Sequence, residues 1–301
     1  MRHTRWALRA AAIAISVIGM SLPARSSQAA NAAMVDVLLD YTIYASGLRV
    51  ADCVVDLTID PGAYAIELAS QPRGLIALLT RWQYGAKSTG VLEGSQTRPL
   101  AHETEHLRRN RDRRFRIAYD DQGPIQEIHD PPKVLKLPVP PDDKQGTLDP
   151  LSATVALIRG ASMSGGCPSD LPVYDGRRRF DIKFVESEVV DLPGTRFSAF
   201  EGQAIRCRLQ FDPIAGDFDR EDRSSFWYQD ALAERQIDMW LAPVLGDGTP
   251  PIPVKLQGLG RYGPFYIHLN DLRSEPPPSE EEAADELSVE DEPVPGDTTG
   301  S

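Results

Sequence analysis

The chain has 301 residues, 32 basic and 44 acidic, for a formal net charge of −12. That balance excludes a nucleic-acid binder, which carries a basic footprint. Its one long apolar run, Ala10 to Leu22, is too short to span a bilayer, which needs about 20 residues, so the chain is not expected to span a membrane.

That run follows Arg2, Arg5 and Arg9, and precedes the small-x-small patterns Ser27-Gln28-Ala29 and Ala30-Asn31-Ala32. A basic stretch, an apolar stretch and small residues at the cut describe a cleaved export signal over residues 1–30. No cysteine follows the cut to take a lipid anchor, so the mature protein is expected in the periplasm, soluble and free to form disulfides. The signal region removes four of the 32 basic residues, and 276–301 removes nine of the 44 acidic ones. The remainder, 28 against 35, is a mildly acidic single β-rich domain over 31–275 with a net charge of −7.

Within that domain the dominant period is two. Val35, Val37, Leu39, Tyr41 and Ile43 share one face, and Cys53, Val55, Leu57 and Ile59 share the next. The same alternation recurs around Tyr64/Ile66/Leu68, Phe115/Ile117/Tyr119, Phe180/Ile182/Phe184, Ile205/Cys207/Leu209, Ile237/Met239/Leu241 and Phe265/Ile267/Leu269. Short strands with one apolar face, separated by turn residues, predict an all-β, mainly antiparallel fold: a curved open barrel or half-barrel. Two stretches interrupt the rhythm. Gly74–Trp82 is a continuous apolar run with room for one or two helical turns. Asp149 and Pro150 suit the cap and first position of a helix, and Leu151, Val155 and Ile158 lie on one of its faces before an end near Gly160. One or two short helices of this kind are expected to plug the concave side of the sheet. The prolines between 130 and 146 predict an extended loop, and the acidic, Pro-rich residues 276–301 a disordered tail.

Four pieces of the chain resemble one family of exported bacterial proteins, domain of unknown function 3108. They are Tyr41-Thr42-Ile43-Tyr44 through Val50; Gly146-Thr147-Leu148-Asp149-Pro150-Leu151; Cys167 with Leu171-Pro172-Val173-Tyr174-Asp175-Gly176 and Arg177 to Ile182; and Cys207 with Pro213-Ile214-Ala215-Gly216. The resemblance implies an exported protein whose architecture is similar to the curved half-barrels of periplasmic lipoprotein carriers. It implies no particular activity.

Three cysteines in an exported chain allow one disulfide and one leftover thiol. Cys53 falls mid-strand among apolar residues, whereas Cys167 stands in an adaptable Gly-Gly-Cys-Pro loop and Cys207 lies mid-strand. A Cys167–Cys207 disulfide is predicted; three free thiols are the alternative.

His102-Glu103-Thr104-Glu105-His106 spells H-E-x-x-H, which in zinc hydrolases puts both histidines on one helix face as ligands and leaves the glutamate as base. Here no apolar helical stripe accompanies it. Surface histidines on a polar strand are the expectation, with a zinc-dependent hydrolase through His102 and His106 as the alternative. Neither a nucleophile elbow nor a phosphate or dinucleotide loop appears, so no catalytic residue and no cofactor is expected. Arginines crowd 108–116 and Arg177–Arg179. They suit either recognition of anionic groups or charge pairing with Asp112, Asp120, Asp175 and Asp181. Candidate ligand-binding residues are Trp82, Tyr84, Arg177, Arg178, Arg179 and Trp240. The expected function is non-enzymatic binding of a lipid, another amphipathic ligand or an envelope component in the sheet's concavity. The alternative is a structural or protein-interaction module with an envelope protein as partner.

Overall fold

The computed structural model describes residues 35–109, 112–221, 225–232, 234–260 and 263–274. The expected export signal over 1–30, the acidic residues 276–301 and Arg111 lie outside the described residues. Among the described residues, thirteen strands form one antiparallel sheet. In chain order the elements are β1 (Val35–Ala45), β2 (Leu48–Ile59), β3 (Ala63–Pro72), α1 (Gly74–Leu79), β4 (Trp82–Glu93), β5 (Gln96–Arg108), β6 (Arg113–Tyr119), β7 (Pro124–Asp130), α2 (Pro150–Ser164), β8 (Leu171–Tyr174), β9 (Arg178–Leu192), β10 (Gly202–Gly216), α3 (Gln229–Leu232), β11 (Gln236–Ala242), β12 (Ile252–Gly260) and β13 (Gly263–Arg273).

The spatial order runs from β7 down to β1, then β13 down to β8. The first and last strands therefore pair in the middle of the sheet, through contacts such as Ile43 with Ile267. Each limb is a meander that leads outward to one edge, β7 or β8. The chain must cross from one edge to the other between residues 131 and 170, and α2 lies on that crossing. Its position on the inner face follows from topology: it is the connection between the two edges.

The expected alternation is present. Val35, Val37, Leu39, Leu57, Ile59 and Ile66 are buried on the inner face, each contributing about 1.5–3 kcal/mol relative to exposure. Leu151, Val155 and Ile158 of α2 pack into the same core, so the helix stripe meets the strand stripes. The helix continues past Gly160 to Ser164, where Gly165 closes it in the left-handed conformation at φ 67° and donates its N–H to Ala161 O. Gly160 does not end the helix because it serves packing: a Cβ there would stand 2.5 Å from Pro168 Cβ. The segment from Pro131 to Pro141 forms no strand, as its prolines require, and one 3-10 turn, Asp142–Lys144, follows.

The two edges are not joined by a strand ladder. Residues 146–148 bridge them instead: Gly146 N donates to Gln122 O beside β7, and Leu148 N donates to Pro172 O of β8. Tyr174 Oη donates to Glu127 Oε2 across the same gap at 2.8 Å, and Lys144 Nζ lies 2.5 Å from Glu127 Oε1. Behind these groups Phe115, Ile117, Tyr119, Val139 and Tyr174 form a small buried cluster.

Candidate functional site

The inner face is not completely filled. Between α2 and the strands β1–β3 and β11–β13 lies an apolar groove of about 190 Å³. Its floor is fully buried: Leu39, Leu57, Ile66 and Ile252 are at most 3% exposed. Its walls, Ile43, Val55, Leu68 and Ile267, are only partly buried. α2 contributes Leu151, Thr154 and Ile158 to one side. The polar groups near the floor are silenced. Tyr41 Oη donates to Pro253 O at 2.8 Å, and burial raises its pKa far above that of free tyrosine, helped by nearby Cys53. Burial also pushes the Cys53 thiol up to about 12, so at neutral pH it is a small apolar side chain. The groove is apolar, with its Tyr41 hydroxyl hydrogen-bonded and its Cys53 thiol kept protonated, and is suited to holding an alkyl or other apolar group.

A buried polar network pins one end of α2. Asp149 caps the helix, with Oδ1 accepting from Leu151 N and Ser152 N, each at 3.0 Å. Ser88 Oγ donates to the same oxygen at 2.6 Å, His102 Nδ1 is 3.1 Å away, and Tyr64 Oη donates to Ser152 Oγ at 2.6 Å. Burial alone would raise the Asp149 pKa; hydrogen bonding and the charge of His102, with hydrogen bonds from Ser152 and Ser88, outweigh it and hold the value low. Ser, His and Asp meet here, but not as a triad. A triad places serine on one imidazole nitrogen and aspartate on the other, whereas Ser88 and Asp149 both approach Nδ1 of His102. All three residues are buried. The arrangement fastens the helix to β4 and β5.

His102 and His106 lie on β5. In a strand, positions i and i+4 are about 13 Å apart, against about 5–6 Å in a helix, so this H-E-x-x-H segment does not place both imidazoles on one ion. Among the described residues no group of three His, Cys, Asp or Glu side chains is arranged to hold a metal. His102, expected on the surface, is 3% exposed because the alternation of β5 turns it inward. His106 is half-buried, accepts from Arg108 Nε at 3.1 Å, and has its pKa lowered by burial and by Arg108 and Arg113.

The six candidate ligand residues scatter. Trp240 is buried in the main core, with Lys255 Nζ 4.3 Å above its ring, and Tyr84 packs against the same core. Trp82 begins β4, beside α1. Arg177 pairs with Asp217, Arg178 with Asp175 while covering the Trp227 ring, and Arg179 with Asp181. None of the six lines the groove. In the other arginine cluster, Arg114 and Arg116 pair across strands with Glu105 and Glu103 rather than with the aspartates nearest in sequence. Of the groove residues that sequence reasoning did not single out as candidates, Met239 and Leu256 carry only ordinary strand alternation, and Thr154, on α2, carries no signal at all. Cys167 and Cys207 form the predicted disulfide, with Cα atoms 5.6 Å apart, and Cys53 is free.

No curated protein matches the chain. Among solved structures, the beta-barrel-like protein of domain of unknown function DUF1849 from Brucella abortus aligns over 81% of this chain and 99% of its own, with 10% identity and a TM-score of 0.45. A family model described as "Protein of unknown function (DUF3108)" matches residues 40–266, from β1 to β13. The chain therefore belongs to the DUF3108 family.

Proposed function

We propose that the protein is an exported periplasmic binder, without enzymatic chemistry, that holds an apolar or amphipathic ligand of the cell envelope in the groove beside α2. The observation that carries this reading is the groove itself: about 190 Å³ lined by aliphatic side chains, with a buried floor and half-buried walls. An engineered dry cavity of about 150 Å³ already accepts benzene, so this volume suits a short stretch of alkyl chain whose polar end stays outside. The export pattern of residues 1–30 and the Cys167–Cys207 disulfide support the compartment.

The test is a series of single-chain fatty acids of increasing length, titrated by calorimetry. About 0.8 kcal/mol per buried methylene corresponds to roughly fourfold tighter binding for each added carbon, until the groove is full and the gain stops. The variant Val55→Phe, which narrows the groove, should bring that plateau forward to shorter chains. Affinity that ignores chain length, or that is unchanged in Val55→Phe, would sink the proposal.

A further inference from the structure

Helix α1 is inverted with respect to ordinary packing. Leu75, Leu78 and Leu79 stand at i, i+3 and i+4, the spacing of an apolar stripe that a helix normally buries. Here they are 69%, 82% and 83% exposed, and no residue of α1 is buried. The helix is held in place nonetheless. Arg73 N donates to Val50 O on β2. Gly74, at φ +58°, lies so close to β2 that a Cβ would stand 3.1 Å from Arg49 O. The leucines thus project from a fixed link between β3 and β4.

The surroundings of this stripe are basic. Arg81 follows α1, and Arg108 and Arg109 at the end of β5 lie against the same link. All three are exposed and have no carboxylate partner among the described residues. Arg49 and Arg73 share the single carboxylate of Asp52. Trp82 adjoins them, half-buried, and Leu48 at the start of β2 is 57% exposed. Yet the whole chain carries a net charge of −12, so this tip has the opposite sign to the molecule that bears it.

We propose that α1 and its arginines form a docking tip for an anionic lipid surface. Apolar side chains that enter the acyl boundary, ringed by guanidinium groups at headgroup level, match that surface in both polarity and charge. A second copy of the chain fits less well, because an isologous contact would set one arginine ring against the other. The geometry also gives the tip a use. Along β1, β12 and β13 the inner face passes from fully buried Leu39, Ile252 and Leu269 to half-buried Ile43, Leu256 and Ile267 toward the end of the strands where α1 stands. Docking would hold the less covered end of the groove toward the lipid.

The experiment places an environment-sensitive fluorophore on the full chain through Leu78→Cys, the remaining cysteines being either buried or disulfide-bonded. It is mixed with phosphatidylglycerol vesicles or with phosphatidylcholine vesicles, each with and without acyl-chain quenchers. Quenching in the anionic vesicles, much weaker in the neutral ones, is expected. At about 1 kcal/mol for each arginine near the surface, adding Arg81→Ala, Arg108→Ala and Arg109→Ala should weaken the anionic binding by about 100-fold. Because the readout is local to α1, insertion by any other segment does not imitate it. An unquenched probe overturns the proposal, as does equal quenching in neutral vesicles or a leucine-dependent dimer that excludes lipid. Adding Val55→Phe should leave the quenching unchanged, so failure of the groove and failure of the tip remain distinguishable.

Discussion

An ionised carboxylate without solvent contact persists only where donors surround it. Asp149 is fully buried and has the N–H groups of Leu151 and Ser152, the hydroxyls of Ser88 and Ser152, and Nδ1 of His102 around it. Asp149→Ala removes a helix cap and orphans several of these groups, a loss of about 3–5 kcal/mol. Asp149→Asn keeps a good cap and should cost roughly half of that. The pH dependence has a definite sign. The folded pKa of Asp149 lies below its usual value, so its contribution is fully present above about pH 4 and is lost as pH falls through the folded value. Urea midpoints should therefore separate the wild type from Asp149→Asn at pH 6, and the gap should narrow progressively as pH falls below about 4. A gap independent of pH would show that Asp149 is not held ionised. Cys53, its thiol pushed up to about 12 by burial, should resist iodoacetamide at pH 8 in the native protein and react fully in urea; native labelling would refute the burial. Local spacing reveals the capping role of Asp149, because Pro150 follows it. Its partners Ser88 and His102, 61 and 47 positions away in sequence, become its neighbours only through strand register, and local spacing carries no trace of that.

At the scale of elements, α2 is fastened at three points. Asp149 holds its start. Arg159 donates to Gly94 O at 2.6 Å and Gln96 O at 2.8 Å, tying its middle to the β4–β5 turn. Cys167, just past its end, is bonded to Cys207 on β10. The helix thus links the two limbs of the sheet as well as filling the space between them. Closing a loop with a sequence separation of 40 restricts the unfolded chain by about 4 kcal/mol. The double variant Cys167→Ser, Cys207→Ser should lose about that much in urea unfolding and should lose its sensitivity to reductant. A loss below about 1 kcal/mol would mean that α2 docks without the staple. The helix itself was legible from Asp149-Pro150 and the stripe Leu151, Val155, Ile158. Its length was not, because Gly160 reads locally as a stop and only the approach of Pro168 explains why a glycine sits inside the helix. The H-E-x-x-H segment failed in the opposite way: five residues match a helical motif, but the thirteen-residue strand that contains them sets the geometry.

The whole molecule poses a problem that no single segment reveals. Period-two alternation announces many strands with one apolar face, but not that β1 and β13 meet in the middle and leave β7 and β8 as edges. Unpaired edges invite association with other chains, and here residues 139–149 and a few side chains cover the gap. Glu127 stands at its centre, taking a hydrogen bond from Tyr174 Oη with one oxygen and contacting Lys144 Nζ with the other. Removing it leaves a buried tyrosine hydroxyl and a half-buried ammonium unpaired, at a cost of about 1–3 kcal/mol for the orphaned groups. The location of the damage is the sharper expectation. In Glu127→Ala, hydrogen exchange should accelerate at amides of β7, β8 and residues 146–148, while β1, β2 and β13, which lie farthest from the gap, keep their protection. Edge strands released in this way should also raise the tendency to self-associate, measurable by light scattering at increasing protein concentration. Uniform acceleration across the sheet would mean that the gap is not a separate unit and that the bridge carries the stability of the entire fold. Unchanged exchange would mean that residues 146–148 hold the edges together through backbone hydrogen bonds alone, with Glu127 contributing nothing.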